Sequence, residues 1–369
     1  MLIERVQILM SDGVFRKGSV EFDEKIRRVT VSESADEHAG PYLIPGLIDV
    51  HTHGALGGDH VDGSAENLNK MAEFYAKNGT TSFLATTLTA TEEMLCKAVH
   101  NVSLHERPQG SARCLGINLE GPFFSHEKKG AHPADLLRGP DISMFERLYK
   151  LSGDKIRLVC LAPELEGAQA FIKEVSQVAK VSLAHSSADY KTAMQAFENG
   201  ATHVTHLFNG MSPFLHRDPG IVGAALDANA FVEVICDGYH LHPAIIRAIY
   251  NIFPERACLI SDSLNCTGLP DGNYESAGLP VVVKNGKCML ADGSTLAGST
   301  ITLLKGVRIA VSLGVPLAKA VTWASAHSAQ TLGMEREIGS IVPGAHADMV
   351  LLDSELNIQK VFVGGKEVA

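Results

Sequence analysis

A chain of 369 residues, 45% of them hydrophobic, with a formal net charge of -10, can bury a large core and is too acidic to suit nucleic acid or an anionic membrane as a partner. No stretch reaches the roughly 18 uninterrupted apolar residues of a membrane span, and the N-terminal MLIERVQILM carries Glu4, Arg5 and Gln7 where a secretory signal needs an unbroken apolar core. The seven cysteines are odd in number, form no CxxC pair and fall partly in apolar runs, which points to free thiols in a reducing cytoplasm.

Residues 1–40 read as short strands separated by turns at Ser11-Asp12-Gly13 and Phe22-Asp23-Glu24. Strand–helix alternation begins with Leu43–Val50. A helix near Glu66–Lys77 follows, with Leu68, Met71, Phe74 and Tyr75 at helical spacing and a stop at Asn78-Gly79. Thr80–Thr86 is β-branched and reads as the next strand. Further strands are expected at Cys114–Glu120, Ile156–Ala162, Val181–His185, Ala201–His206, Phe231–Asp237 and Ala257–Asp262. Eight such strands, most followed by a helix-compatible segment, match a closed parallel (β/α)8 barrel. An open doubly wound sheet is the alternative, but it would gather functional residues at a switch point. Pro280–Leu296 reads as a hairpin-like insert with turns at Asn285-Gly286 and Asp292-Gly293. Met349–Leu352 and Lys360–Val363 are strands again. Neither end has enough apolar surface to fold alone, so residues 1–42 and 336–369 are expected to pair as a small β-sandwich beside a barrel of residues 43–335.

Six potential ligands, His51, His53, Glu120, His185, His206 and Asp262, each end one of these strands. A parallel barrel places all such ends on one face, so this register brings them together. Strand alternation sends His51 and His53 to the same side. Imidazole and carboxylate without thiolate suit a divalent zinc or iron ion that activates water, which reads as a metal-dependent hydrolase. Taken singly each residue has a plainer explanation: histidines in a glycine-rich turn, a solvated glutamate, core imidazoles, a turn aspartate. Their shared position favours the ligand reading. Asp262 is placed to take a proton from water and return it to a leaving group, and His203 reads as packing or support. Loops after the strands carry Lys128–Pro133, Asn209-Gly210, His216–Gly220 and Asp237–His240. Among them, Arg217 offers a fork for phosphate or carboxylate and His240 a further donor.

The motifs PGLIDVHTHG (45–54), NLEGPFFSHEKKGAHP (118–133), HLFNGMSPFLHRDPGIVGAAL (206–226), DGYHLHP (237–243), SDSLNCTGLPDGNYE (261–275), LADGSTLAGSTIT (290–302) and GSIVPGAHADMVLLD (339–353) span nearly the whole chain. Together they closely resemble the N-acetylglucosamine-6-phosphate deacetylases of the amidohydrolase superfamily. The resemblance implies the barrel with its β-sandwich, and hydrolysis of the N-acetyl group of N-acetylglucosamine-6-phosphate. It implies Glu120, His185 and His206 as ligands of the principal Zn2+ or Fe2+ ion and Asp262 as catalytic acid/base, with His132 a candidate donor to the oxyanion. Some members lack the first histidine pair and bind one metal. This chain keeps it, so His51, His53 and Asp262 offer a second site, giving one or two ions per subunit. Implied substrate contacts are Ala131, His132, Asn209, Gly210, Arg217, Asp237, Gly238, Tyr239, His240, Leu296, Ala297 and Gly298. A homodimer sharing phosphate-binding residues across subunits is expected. N-acetylgalactosamine-6-phosphate is the rival substrate. A dihydroorotase-like enzyme would commonly use a carboxylated lysine where Glu120 stands. Two departures are notable: Gly210 replaces a common alanine, and Ser325-Ala326-His327-Ser328-Ala329 replaces a more usual Asn-Pro-Ala.

Overall fold

The computed structural model describes residues 1–34 and 41–369. Eight parallel strands make the central sheet: β1 (Leu47–Thr52), β2 (Thr80–Thr86), β3 (Arg113–Glu120), β4 (Ile156–Leu161), β5 (Lys180–Leu183), β6 (His203–Val204), β7 (Phe231–Ile235) and β8 (Ala257–Ile260). Each pairs with its neighbours in chain order. The ends β1 and β8 are joined at one rim, where Asp262 N donates to His51 O at 2.9 Å and His53 N to Ser263 O at 2.8 Å. The sheet is therefore a nearly closed barrel. Every residue of β1 and β2 is buried, as a strand covered on both faces requires. The helix Ala65–Lys77 turns Leu68, Met71, Ala72, Tyr75 and Ala76 into the core and is capped by Ser64, whose side chain accepts from Asn67 N.

Several expected strand boundaries are corrected. The run Leu43–Val50 is not one strand: Tyr42–Pro45 lies in the terminal sheet and β1 starts at Leu47. Gly46 is the crossing point, because a Cβ there would sit 2.1 Å from Thr81 Oγ1. Hydrophobicity alone cannot tell which of two sheets an apolar run joins. The strands also stop short of His185, His206 and Asp262, whose φ angles of 45°, 30° and 50° are left-handed. Non-glycine residues in that region cost on the order of 1–3 kcal/mol each and concentrate at functional sites. Here the bend turns each side chain out of the ladder and into the barrel mouth.

Both termini contribute to one seven-stranded, mostly antiparallel sheet built from Leu2–Leu9, Phe15–Phe22, Ile26–Ser34, Tyr42–Pro45, Met349–Leu352, Ile358–Val363 and Lys366–Glu367. It curls on itself: Phe22 and Phe362, on strands that are not neighbours, have ring centroids 5.3 Å apart. Val6, Ile8, Leu43 and Met349 fill the enclosed core. The insert has three strands rather than a hairpin's two, Gly272–Ser276, Leu279–Lys284 and Lys287–Leu290. It packs through Val281, Val283 and Cys288 onto Leu264, Cys266 and Ala297 beside the barrel mouth.

Candidate metal centre and substrate pocket

Six side chains from five strand ends converge. Glu120 stands between two groups, with one oxygen toward each. Its Oε2 lies 3.4 Å from His51 Nε2 and 3.2 Å from His53 Nε2. Its Oε1 lies 3.1 Å from His206 Nε2 and 3.6 Å from His185 Nε2. The imidazoles face each other within each pair, His51 and His53 at 3.3 Å and His185 and His206 at 3.1 Å. Asp262 Oδ1 is 3.1 Å from His53 Nε2 and 3.5 Å from His51 Nε2. Ligands held tetrahedrally at about 2.1 Å from a zinc-sized ion stand about 3.4 Å from one another, so these separations suit a cation at the centre of each group.

The tautomers make the same point. His185 Nδ1 donates to Lys128 O at 2.8 Å and His206 Nδ1 to Asn209 O at 3.2 Å. His51 Nδ1 donates to Glu233 Oε2 at 2.8 Å. With the hydrogen on Nδ1 the neutral ring presents a bare Nε2 lone pair to the centre. Lone pairs 3.1 Å apart repel unless an electrophile lies between them. Without a cation, protons must serve instead. Burial opposes a charge on His51, yet the carboxylates of Glu120 and Glu233 hold its pKa well above the ordinary value. His53 is likewise raised to about 9 against its burial by Asp262 and Glu120. Burial would raise Asp262, but the bond to His53 and the charge of His51 bring it to about 2. A metal ion displaces such protons on binding.

His132 differs. Burial, reinforced by His185, pushes its pKa well down, so the ring is neutral. Its Nδ1 accepts from Thr89 N at 3.4 Å, which leaves the hydrogen on Nε2, 3.9 Å from Glu120 Oε2. That hydrogen is available at the centre's edge as a donor to a developing oxyanion.

A cavity of about 830 Å³, including its open mouth, lies over these groups. His53, Glu120, His185, His206 and Asp262 line it, as do Ala131, His132, Asn209, Gly210, His240, Leu296, Ala297 and Gly298. His51 is wholly buried beneath. Gly210 has φ 59°, and a Cβ there would come within 2.8 Å of His185 Nδ1, so an alanine would require the ring to move.

Four expected substrate contacts lie outside the lining of this cavity. Asp237 is turned inward on its own loop, accepting from Tyr239 N, His240 N and His240 Nδ1 at 2.8, 2.9 and 2.7 Å. It thereby orients His240. Gly238 forms the bend of that loop, and Tyr239 OH donates to Asn285 O of the insert at 2.7 Å. Arg217 sits on the exposed tip of the loop between Met211 and Pro219, its Nη1 2.6 Å from His216 Nε2. Neighbouring Phe214 and Leu215 are 47% and 52% exposed. Conversely, sequence reasoning passed over Glu233, the carboxylate behind His51. Its signal was an acid inside the apolar strand Phe231–Ile235, where an unpartnered charge would be costly. It also gave no site role to Ser276, Leu279, Val281 or Leu290 of the insert, which wall the cavity.

Residues 42–368 match the model of the amidohydrolase family. An N-acetylglucosamine-6-phosphate deacetylase of Vibrio furnissii is 40% identical over 331 residues, 88% of this chain and 82% of that protein. An N-acetylgalactosamine-6-phosphate deacetylase of Escherichia coli O157:H7 is 39% identical over 337 residues, 90% of this chain and 89% of that one. Among solved structures, an aspartate-to-alanine mutant of N-acetyl-D-glucosamine-6-phosphate deacetylase from Mycobacterium smegmatis, in complex with N-acetyl-D-glucosamine-6-phosphate, superposes with a TM-score of 0.93 at 32% identity. The match covers 100% of this chain and 99% of that one.

Proposed function

The chain belongs to the amidohydrolase family, and from that premise we propose that it hydrolyses the N-acetyl group of N-acetylglucosamine-6-phosphate to glucosamine-6-phosphate and acetate. The observation that carries this reading is the meeting of Glu120, His185 and His206, with bare imidazole lone pairs, beneath a pocket lined by His132, Asn209 and Asp262. Those three ligands would hold the principal cation, Zn2+ or Fe2+, and His51, His53 and Asp262 a second. When bound, a divalent ion lowers the pKa of a water to about 7 and polarises the carbonyl under attack.

The protein's own groups supply the rest. Asp262 is ionised at neutral pH and can take the proton of the attacking water, then deliver it to the leaving nitrogen. His132 donates Nε2–H to the oxygen that gains charge at the acyl carbon. Asn209 and His240, which line the same pocket as Asp262, would hold the sugar so that its acetamide faces Asp262.

The phosphate is a separate matter. No lysine or arginine among the described residues lines the cavity of a single chain. Arg217 stands exposed beside Phe214 and Leu215, a loop suited to cover the mouth of a second copy. A homodimer in which each subunit lends Arg217 to its neighbour answers both facts. A reducing compartment such as the cytoplasm suits seven cysteines that are all free, and no helix among the described residues is long and apolar enough to cross a membrane.

Acetate release from N-acetylglucosamine-6-phosphate and from N-acetylgalactosamine-6-phosphate, measured beside the metal content of the same sample, tests the proposal. The expected result is higher kcat/KM on the gluco sugar and at least one ion per chain. Preference for the galacto sugar would transfer the reading to the other deacetylase, and metal-free turnover would end it.

A further inference from the structure

A second cavity lies at the opposite end of the barrel, where the strands begin. Arg113 opens β3, and the loop Arg107–Gly110 leads into it. Across about 810 Å³ of space, mouth included, they face His346 and the segment Val363–Lys366 of the terminal sheet. The charges here do not cancel. Arg113 Nη1 donates to both oxygens of Asp348 at 3.2 and 2.8 Å, and Gly364 N donates to the same carboxylate at 2.6 Å. Asp348 is only 4% exposed and is fully engaged in that bond set. The guanidinium of Arg107 has the carbonyl of Ser111 at 3.3 Å and, among the described residues, no carboxylate in hydrogen-bond or ion-pair contact. Lys366 is exposed and makes no ion pair among the described residues, and Arg113 Nη2 makes no hydrogen bond there. Among the described lining residues, Glu24 brings opposing charge, and the Asp348 carboxylate lies behind Arg113. Burial, and then the nearby Arg113, push the pKa of Arg107 down, as a cation crowded by a like charge requires.

Two guanidiniums and an ammonium thus converge on one hollow of a chain whose net charge is -10. We propose that this cavity is a second binding site, for a phosphate or phosphate-ester oxyanion, bridging the barrel and the terminal sheet. Planar guanidinium forks match the oxygens of phosphate, Lys366 adds a point charge, and the Gln109 amide on the same wall is a further donor. With Asp348 and Glu24 set against the three cations, one positive charge is left over, which the singly charged form of a phosphate or phosphate ester meets while its further oxygens take the guanidinium and amide donors. The site is remote from the metal centre, so an occupant would act on stability and on the seating of the terminal sheet.

Equilibrium dialysis with inorganic phosphate, and separately with glycerol 3-phosphate, tests this on the intact protein and three variants. The double variant Arg107→Gln/Lys366→Gln should bind at least one of the two probes at least tenfold more weakly, and Lys366→Gln alone should weaken it measurably. Both should keep wild-type acetate release, since neither residue lies near the metal centre. Arg217→Gln should retain the site. Binding of the ester alone identifies an ester ligand, and binding of both identifies the oxyanion itself. Undiminished binding by the double variant, or no binding by wild type at millimolar probe, would overturn the proposal.

Discussion

Glu233 offers the sharpest test of how the candidate metal centre is built. It is 0% exposed, and its Oε2 receives His51 Nδ1 at 2.8 Å. That bond fixes the His51 tautomer and raises the basicity of the Nε2 aimed at Glu120 and His53. Loss of such a partner behind a metal-binding imidazole costs about 10–100-fold in metal affinity, or about 1.4–2.7 kcal/mol. Glu233→Gln keeps an acceptor of the same shape and removes the charge, so it should lie near the tenfold end. Glu233→Leu leaves Nδ1–H buried without an acceptor and should reach the hundredfold end. The larger effect should fall on the ion at His51, because the other bond Glu233 Oε2 accepts, from His206 N at 3.4 Å, is long and does not involve the His206 ring. His185 and His206 are held by the backbone carbonyls of Lys128 and Asn209, so the ion at Glu120, His185 and His206 should persist. Elemental analysis after dialysis against graded chelator reads this directly: two ions per chain in wild type, falling to one in the leucine variant at chelator strengths that wild type withstands. If the leucine variant holds both ions as tightly as wild type, or if wild type never holds more than one, the assignment of Glu233 as a positioning residue is wrong.

Asp262→Asn should reduce acetate release by at least about a thousandfold while the ion at Glu120, His185 and His206 stays bound; near-normal turnover with normal metal would remove Asp262 from proton transfer. Arg217→Ala should raise KM for the phosphorylated sugar and leave hydrolysis of free N-acetylglucosamine unchanged, so an equal effect on both sugars would exclude it from the phosphate site. Stripping the metal with a chelator should lower the unfolding temperature by several degrees, because an ion at a hundred times its Kd contributes about 2.7 kcal/mol, and readdition should restore it; an unchanged midpoint contradicts the ligand geometry. His203, buried and stacked on Phe231, has its pKa pushed down to about 3 by burial and then by Lys180. The folded ring stays neutral while the unfolded ring binds a proton below about 6.5. Its contribution is therefore complete above that pH and is lost as the pH falls toward 3, about 2 kcal/mol by pH 5. His203→Phe should flatten that part of the urea-midpoint profile between pH 7 and 5, and a parallel profile would refute the assignment.

The meeting of the candidate ligands was legible in the primary structure because strand periodicity and strand-end register are local properties. An apolar run that stops at His53, Glu120, His185, His206 or Asp262 says where each side chain lies along the barrel, and parallel closure brings those ends to one rim. The capped helix Ala65–Lys77 was visible for the same reason. Other features depended on partners distant in the chain. Tyr42–Pro45 joined the terminal sheet instead of the barrel because strands from the two ends of the molecule offered it hydrogen bonds on both sides. Glu233 could be recognised as an anomaly in an apolar strand, but its partner is 182 residues away. The left-handed bends at His185, His206 and Asp262 were hidden as well, since such a backbone is tolerated only where surrounding packing holds it. Arg217 carried the right chemistry but stands outside the pocket of its own chain. Residue type and period are written along the chain; which charge meets which, and which loop covers which cavity, is decided only when distant segments compete for the same space.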